Sequence, residues 1–264
     1  MTHQADLDLI LNAARAAGDL ALRMRTQGLE IEYKAADSSP VTNADLAVDR
    51  LLIDTLRAAR PDYGWLSEET ADNPDRLTCR RLFVVDPIDG TRSYAKGRPW
   101  WSVSIAVVED DQPVAGVVFA PDVDELYSAT AGAGARLNGA LIAPSDRTEL
   151  EGARMVGDIR MFQHPAWPEP WPPMQVETRN STAYRMCLVA AGAFDAALVL
   201  VAKSDWDLAA ADLIAREAGA YSGDHLGRPF AYNGPKPAQH SLLCATPGLT
   251  PLILNRTRHI ALGN

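Results

Sequence analysis

The stretch RLFVVDPIDGTRSY, residues 81–94, limits what this chain can build more than any other part of it. Four apolar residues in a row, 82–85, have the pattern of a short buried strand. The run ends in Asp86 and Asp89, with Pro87 between them and Gly90 behind. Asp-Pro and Asp-Gly are common turn dipeptides, but here they set two carboxylates at the tip of a buried strand. Pro87 fixes the backbone after Asp86, so the Ile88 carbonyl can point the same way as the two carboxylates. Gly90 and Thr91 then open what reads as a helix, and the free N–H groups of such a start form a seat for phosphate.

Acids recur at three comparable places. LSEET (66–70) ends a second short strand in Glu68 and Glu69. WDLAAADLIAREAG (206–219) puts Asp207 at the start of a strong helix, where a lone aspartate would serve as a cap. SPVTNAD (39–45) puts Asp45 in the first turn of another helix, where the helix dipole favours an acid. Each has a purely structural explanation, but together they are four acidic clusters at strand ends or helix starts. Layered folds gather functional groups at such points. A set of acids with no neighbouring His or Cys suits a hard cation such as Mg²⁺.

The rest of the chain supplies the layers. Residues 5–26 carry apolar side chains at helical spacing, and a second helix is expected from Thr42 or Asn43 to just before Pro61. Strand signals follow in YGWLSEE, RLFVVD, WSVSIAVVED, PVAGVVFAP and ELYSAT. After about residue 145, the strands ARMVGD, MQVET, DAALVLV and SLLCAT alternate with helices at 181–192, 207–218 and 248–258, an α/β arrangement. We expect one compact unit over 1–264, with an N-terminal lobe (1–145) carrying most of the acids and a C-terminal α/β lobe (146–264). HPAWPEPWPP (164–173), with five prolines and two tryptophans, reads as an irregular loop. Its functional alternative is a substrate lid or a subunit contact.

Composition narrows the function. In 264 residues, 47% are hydrophobic and 22% charged, as in a soluble globular protein. The formal net charge of −9 argues against a nucleic-acid polymer as partner. It leaves a phosphorylated metabolite open, because a bound metal inverts local charge. Cys79, Cys187 and Cys244 have no CxxC spacing and read as reduced structural thiols. The five histidines (His3, His164, His225, His240, His259) read as surface or packing residues. No stretch resembles a signal core or the ~18 apolar residues of a membrane span, so a cytoplasmic location with no membrane partner is expected.

DPIDGT at 86–91, the upstream glutamate pair and the downstream WDLAAADLIAREAGA together resemble the inositol monophosphatase family of Mg²⁺-dependent, lithium-sensitive phosphatases. The likeness spans nearly the whole chain in the family's order. It implies an α-β-α-β-α sandwich, a homodimer, and two or three Mg²⁺ ions per active site. It also implies Glu69, Asp86 and the Ile88 carbonyl as ligands of the first metal, and Asp86, Asp89 and Asp207 as ligands of the second. Gly90 and Thr91 would contact phosphate. Thr91 and Asp45, with Glu69, would activate the attacking water. Ser181, Thr182 and Lys203 would contact substrate. The alternatives of another class are a noncatalytic regulatory protein on this scaffold and a metal-dependent nuclease.

The metal motifs are shared across the family, so substrate must be read elsewhere. Aligned from Asp195, Val199 stands where the inositol enzymes place an acid against the polyol, and aligned from Asp207 of the WD helix, Leu200 does. Neither can accept a hydrogen bond, whereas Lys203 nearby can meet a second anion. SSPVT, LSEE and GRPFAYN (227–233) look more like the family's adenosine bisphosphate nucleotidases, while Ile88 in DPIDGT is nearer the inositol branch. Asn180 departs from the glycine usual before Ser181. The expected reaction is removal of the 3′-phosphate from adenosine 3′,5′-bisphosphate. Inositol monophosphate, histidinol phosphate and fructose 1,6-bisphosphate are the alternatives.

Overall fold

The computed structural model describes residues 3–34 and 38–262. Helix α1 (His3–Gln27) is followed by the short strands β1 (Ile31–Tyr33) and β2 (Pro40–Thr42) and helix α2 (Asn43–Ala59). Strands β3 (Gly64–Ser67) and β4 (Arg81–Asp89), the single turn α3 (Thr91–Tyr94), and strands β5 (Ser102–Glu109), β6 (Gln112–Ala120), β7 (Glu125–Thr130), β8 (Ala135–Leu137) and β9 (Ala140–Leu141) come next. The second half contains β10 (Arg154–Val156), α4 (Ile159–Phe162), β11 (Gln175–Glu177), α5 (Thr182–Ala190), β12 (Ala196–Val199) and β13 (Lys203–Ser204). It closes with α6 (Asp205–Ala218), β14 (Tyr221–Gly223), β15 (Ala238–Gln239), β16 (Leu242–Ala245) and α7 (Thr250–Thr257).

Two sheets carry the fold. The first has the order β3-β4-β5-β6-β7-β8-β9, the second β11-β10-β12-β16-β14. Strand β4 shows why its sequence is continuously apolar. Phe83 and Val85 pack on one face with Ala14, Val48 and Leu52 of α1 and α2, while Leu82 and Val84 pack on the other with residues of α5 and α6. A strand covered on both faces has no place for alternate polar residues. The layer of α5 and α6 also receives Val156, Ala197, Leu242 and Cys244 from the second sheet. The far side of that sheet is covered by Phe162 of α4, Ile253 of α7, and Trp167 and Trp171 of the proline-rich loop. The layers therefore run α-β-α-β-α, as the family resemblance implies.

Three elements differ from the sequence reading. β4 does not end at Asp86 but continues to Asp89 through a register shift against β5. The helix after Gly90 is one turn, because Gly97 and Pro99 follow closely and the chain must return as β5. α6 starts at Asp205, so Asp207 lies inside its first turn rather than at its cap.

Candidate active site

The second half of β4 delivers its acids by the bulge. Asp86 and Asp89 pair with Ser104 and Ser102 of β5, with the extra residues looped out between them. Asp86 is 1% exposed. Its Oδ1 accepts the Ile88 N–H at 3.1 Å, whereas its Oδ2 is buried without a hydrogen-bond partner. Such an orphan costs about 1–3 kcal/mol, more when charged. Asp89 is saturated by the N-terminus of α5. Its Oδ2 accepts from Ser181 Oγ at 2.6 Å and the Ala183 N–H at 2.7 Å, and its Oδ1 from the Thr182 N–H at 3.1 Å. Asp207, from the first turn of α6, accepts the Ser204 N–H at 3.0 Å and has the Lys203 ammonium 3.7 Å away.

One carboxylate oxygen from each of Asp86, Asp89 and Asp207 falls within a group whose members all lie within 4.8 Å of one another. Burial is the main force pushing all three above the ordinary carboxylate range, and Asp207 reaches about 7. Their mutual repulsion pushes Asp86 further. An all-oxygen cluster with an orphaned buried oxygen fits a hard divalent cation, which would relieve both the repulsion and the missing partner.

The pair on the α2 side is also assembled. Thr42 caps α2, and its N–H and hydroxyl donate to Asp45 Oδ2 at 2.8 and 2.6 Å. Asp45 Oδ1 faces Thr91 Oγ1 at 3.0 Å, and the same hydroxyl lies 3.0 Å from the Ile88 carbonyl. Burial, first of all, raises Asp45 above its usual value. Gly90 has φ 94°, and a β-carbon there would come within 2.9 Å of the Trp100 carbonyl and 3.0 Å of the Ser181 N–H nitrogen. Only glycine lets this turn lie against both the β5 approach and α5.

Several of the expected residues make contacts that differ from those the sequence suggested. Of the two adjacent glutamates expected near the metal, Glu68 rather than Glu69 is the one whose charge acts on the aspartate cluster. Leu66 pairs with Val84 and Ser67 with Val85, and Glu68 follows at the end of β3, where its N–H donates to the Val85 carbonyl at 3.3 Å. The Glu68 charge acts on Asp86, Asp207 and Asp45. Burial is the leading cause raising Glu69 to about 7, and the Asp45 charge adds to it. The Lys34 ammonium holds both glutamates at 2.9 Å. Asp49 fixes the turn that carries them, accepting from Ser67 Oγ at 2.6 Å and Thr70 Oγ1 at 2.7 Å.

Ser181 and Thr182 were expected against substrate. They are 0% and 1% exposed, and they hold Asp89 instead, because α5 presents its first N–H groups to that carboxylate. The helix expected to open a phosphate seat at Gly90 is a four-residue turn, so any anion there would meet its N–H groups and not a long helix dipole. Lys203, expected to meet a second anion of the substrate, has its ammonium 3.7 Å from Asp207. The cation that sequence reasoning missed is Arg185, half-buried on α5, where the charges of Asp89, Asp158 and Asp207 act on it. Its guanidinium donates to the Arg179 carbonyl, with Nε at 2.6 Å, and no carboxylate lies within ion-pair distance of it among the described residues. The signal was an arginine interrupting the apolar run STAYRMCLVAAG.

A sequence model described as the inositol monophosphatase family matches residues 4–261. The chain belongs to the inositol monophosphatase family. A histidinol-phosphatase of Mycobacterium tuberculosis is 35% identical over 256 residues, covering 89% of this chain and 95% of the relative. The 3′(2′),5′-bisphosphate nucleotidase CysQ of Escherichia coli is 30% identical over 250 residues, covering 86% and 93%. Among solved structures, the Thermotoga maritima IMPase superposes with a TM-score of 0.84 at 26% identity, covering 97% of both chains. As a member of the inositol monophosphatase family this protein is a phosphatase acting on phosphate monoesters, and the acidic cluster is where the metal-dependent chemistry of the inositol monophosphatase family is expected. No helix among the described residues is long and apolar enough to cross a membrane.

Proposed function

We propose that this phosphatase removes the 3′-phosphate from adenosine 3′,5′-bisphosphate, using two or three Mg²⁺ ions held by Glu68, Asp86, the Ile88 carbonyl, Asp89 and Asp207. When bound, such ions neutralise phosphate charge and make water more acidic. The chain's own part is positioning and proton transfer. Thr91 has one hydroxyl proton and two acceptors at 3.0 Å, so its lone pairs remain to orient a water. Asp45, raised by burial and held by Thr42, is placed to draw a proton through that hydroxyl. Gly90 and Thr91 offer backbone N–H groups to the phosphate.

The observation that carries the substrate reading is Arg185. A half-buried guanidinium beside an acidic site, without a carboxylate of its own, suits a second anionic group on the substrate. Inositol monophosphate has no such group. Val199 and Leu200 offer no acceptor to a polyol, and the likeness to CysQ agrees. The higher identity to a histidinol-phosphatase supports a second reading, but the ammonium group of histidinol phosphate would be repelled by Arg185.

The test is kcat/KM for adenosine 3′,5′-bisphosphate, histidinol phosphate and inositol 1-phosphate at one Mg²⁺ concentration. The expected preference for the bisphosphate is tenfold or more, about 1.4 kcal/mol in the transition state, and Arg185→Met should remove most of it. A tenfold preference for either monophosphate would reject the substrate while leaving the phosphatase assignment intact.

A further inference from the structure

Three parallel strands of the second sheet, β11, β10 and β12, end at one edge. β10 leads through Gly157 to Asp158, which caps α4 by accepting the Arg160 N–H at 2.9 Å. β11 leads to Thr178, whose hydroxyl donates to the Gly157 carbonyl at 3.1 Å, and on to Arg179 and α5. β12 leads to Leu200 and then to Lys203 and Asp207. The carboxyl ends of parallel strands are where layered α/β folds bind ligands. At this edge a cavity of about 250 Å³ opens between α4, the proline-rich loop and the end of β12, and Met161, His164, Trp167, Leu200 and Ile260 line it.

The loop that walls this cavity is built. Trp167 Nε1 donates to the Met161 carbonyl at 2.6 Å, and its ring meets Trp171 edge-on at 5.1 Å. Trp171 in turn meets Phe162 at 5.2 Å and lies under the Arg256 guanidinium at 5.0 Å. Arg256 also donates to the carbonyls of Glu169 and Pro170 at 3.2 Å. The prolines and these contacts hold the Trp167 ring in place before any ligand arrives, which lowers the ordering cost of binding.

Two routes tie the cavity to the reaction centre. Along the chain, Leu200 is three residues from Lys203, at most roughly 11 Å of backbone, and Lys203 lies 3.7 Å from Asp207. Through space, Arg185 is near enough to Asp89 and Asp207 and to Asp158, the cap of α4, for the charges of all three to act on it. A substrate with phosphate at the acids and a second anion at Arg185 would therefore extend its remaining part toward α4 and Trp167. That part meets a tryptophan ring, apolar side chains of Met161, Leu200 and Ile260, and one exposed imidazole, His164, whose Nδ1 accepts the Ala166 N–H at 3.2 Å. These surfaces favour a flat heteroaromatic ring with polar edges and disfavour a polyol.

We propose that the cavity between Trp167 and Leu200 is the specificity subsite of this phosphatase and receives a planar heteroaromatic group carried by the substrate. It rests on the nucleotidase reading for the identity of that group, an adenine base, but an imidazole would satisfy the same surfaces. The experiment compares adenosine 3′,5′-bisphosphate with methyl ribofuranoside 3,5-bisphosphate, which lacks only the base, using the full chain with Mg²⁺. The wild type should prefer the nucleotide by tenfold or more in kcat/KM. Trp167→Ala and the bulkier Trp167→Leu should each bring that ratio close to one, chiefly through KM. The ratio is internal to one preparation, so partial unfolding lowers both rates and leaves it unchanged. A wild-type ratio near one, or a ratio that survives both substitutions, overturns the proposal. If the wild type turns over neither bisphosphate but does hydrolyse histidinol phosphate, the nucleotidase reading has failed. Histidinol phosphate against 2-aminopropyl phosphate, which lacks the imidazole, then decides the subsite by the same criterion.

Discussion

At the scale of single residues, the two adjacent glutamates separate most clearly. Glu68→Gln should lower kcat/KM by about 100-fold or more and weaken the apparent Mg²⁺ affinity, since it removes a charge that acts directly on Asp86 and Asp207. Glu69→Gln should cost about tenfold or less. A Mg²⁺ titration of activity in both variants checks this, and the reverse order would restore Glu69 to the metal. Thr91→Ala should reduce kcat by about 100-fold with little change in KM, because the hydroxyl acts on water and not on the bound substrate. A loss confined to KM would make Thr91 a binding residue. The acids themselves were legible because DPIDGT, EE and WD are compact signatures. Which of two neighbouring glutamates acts on the aspartates was not, because that depends on the turn after β3 and its contacts with Lys34 and Asp49. Glu68 and Glu69 follow the last residue of β3, Ser67, so no strand pattern in the sequence reaches either of them. Arg185 was hidden for a different reason: an arginine in an apolar helix looks like a surface position until neighbouring layers bury it.

At the scale of elements, helices α1, α2, α5 and α6 and strands β3 to β7 were readable from periodicity and caps, α2 from Thr42 above all. The continuation of β4 to Asp89 was not, because a bulge and a turn share the residues Asp, Pro and Gly. The hinge of this arrangement is Gly90. Gly90→Ala would force a non-glycine residue into a left-handed conformation, costing about 1–3 kcal/mol, and would press its methyl on the Trp100 carbonyl and the start of α5. Thermal unfolding should show a lower Tm, and activity should fall further than stability does because both metal-bearing segments shift. An alanine variant with wild-type Tm and kcat would show that α5 and the β4 turn are not held together there. The Trp- and Pro-rich segment is irregular, as its composition dictates, and its packing against α4 and α7 depends on Arg256, which holds carbonyls 87 and 86 residues away in sequence and which no local pattern reports.

At the scale of the whole molecule, the acidic centre is a strained interior. Burial holds Asp86, Asp89, Asp207 and Glu69 above their ordinary range, the last two at about 7. The folded chain therefore holds more protons than the unfolded chain between about pH 4, the ordinary carboxylate value, and about pH 7. In that window, these groups make metal-free stability fall as pH rises. Cations need the deprotonated acids, so Mg²⁺ should raise Tm more at pH 7.5 than at pH 5. Differential scanning calorimetry with Mg²⁺ or with a chelator reads this directly, and an equal or larger gain at pH 5 would contradict it. The layer order was foreseeable from the alternation of helices and strands. The sharing of α5 and α6 between two sheets was not, since it is a property of the assembled layers.

That sharing has a further effect. Helix α5 grips Asp89 with its first N–H groups and carries Arg185 one turn later on the same nine-residue rod. If Asp89 holds a cation and Arg185 a substrate anion, as proposed, any displacement of the rod is felt at both points, and the two occupancies are linked. If substrate tightens the hold on the cation by some factor, the cation tightens the hold on substrate by that same factor. Each ligand thereby acts as the other's effector, and the order in which they arrive leaves the final complex unchanged.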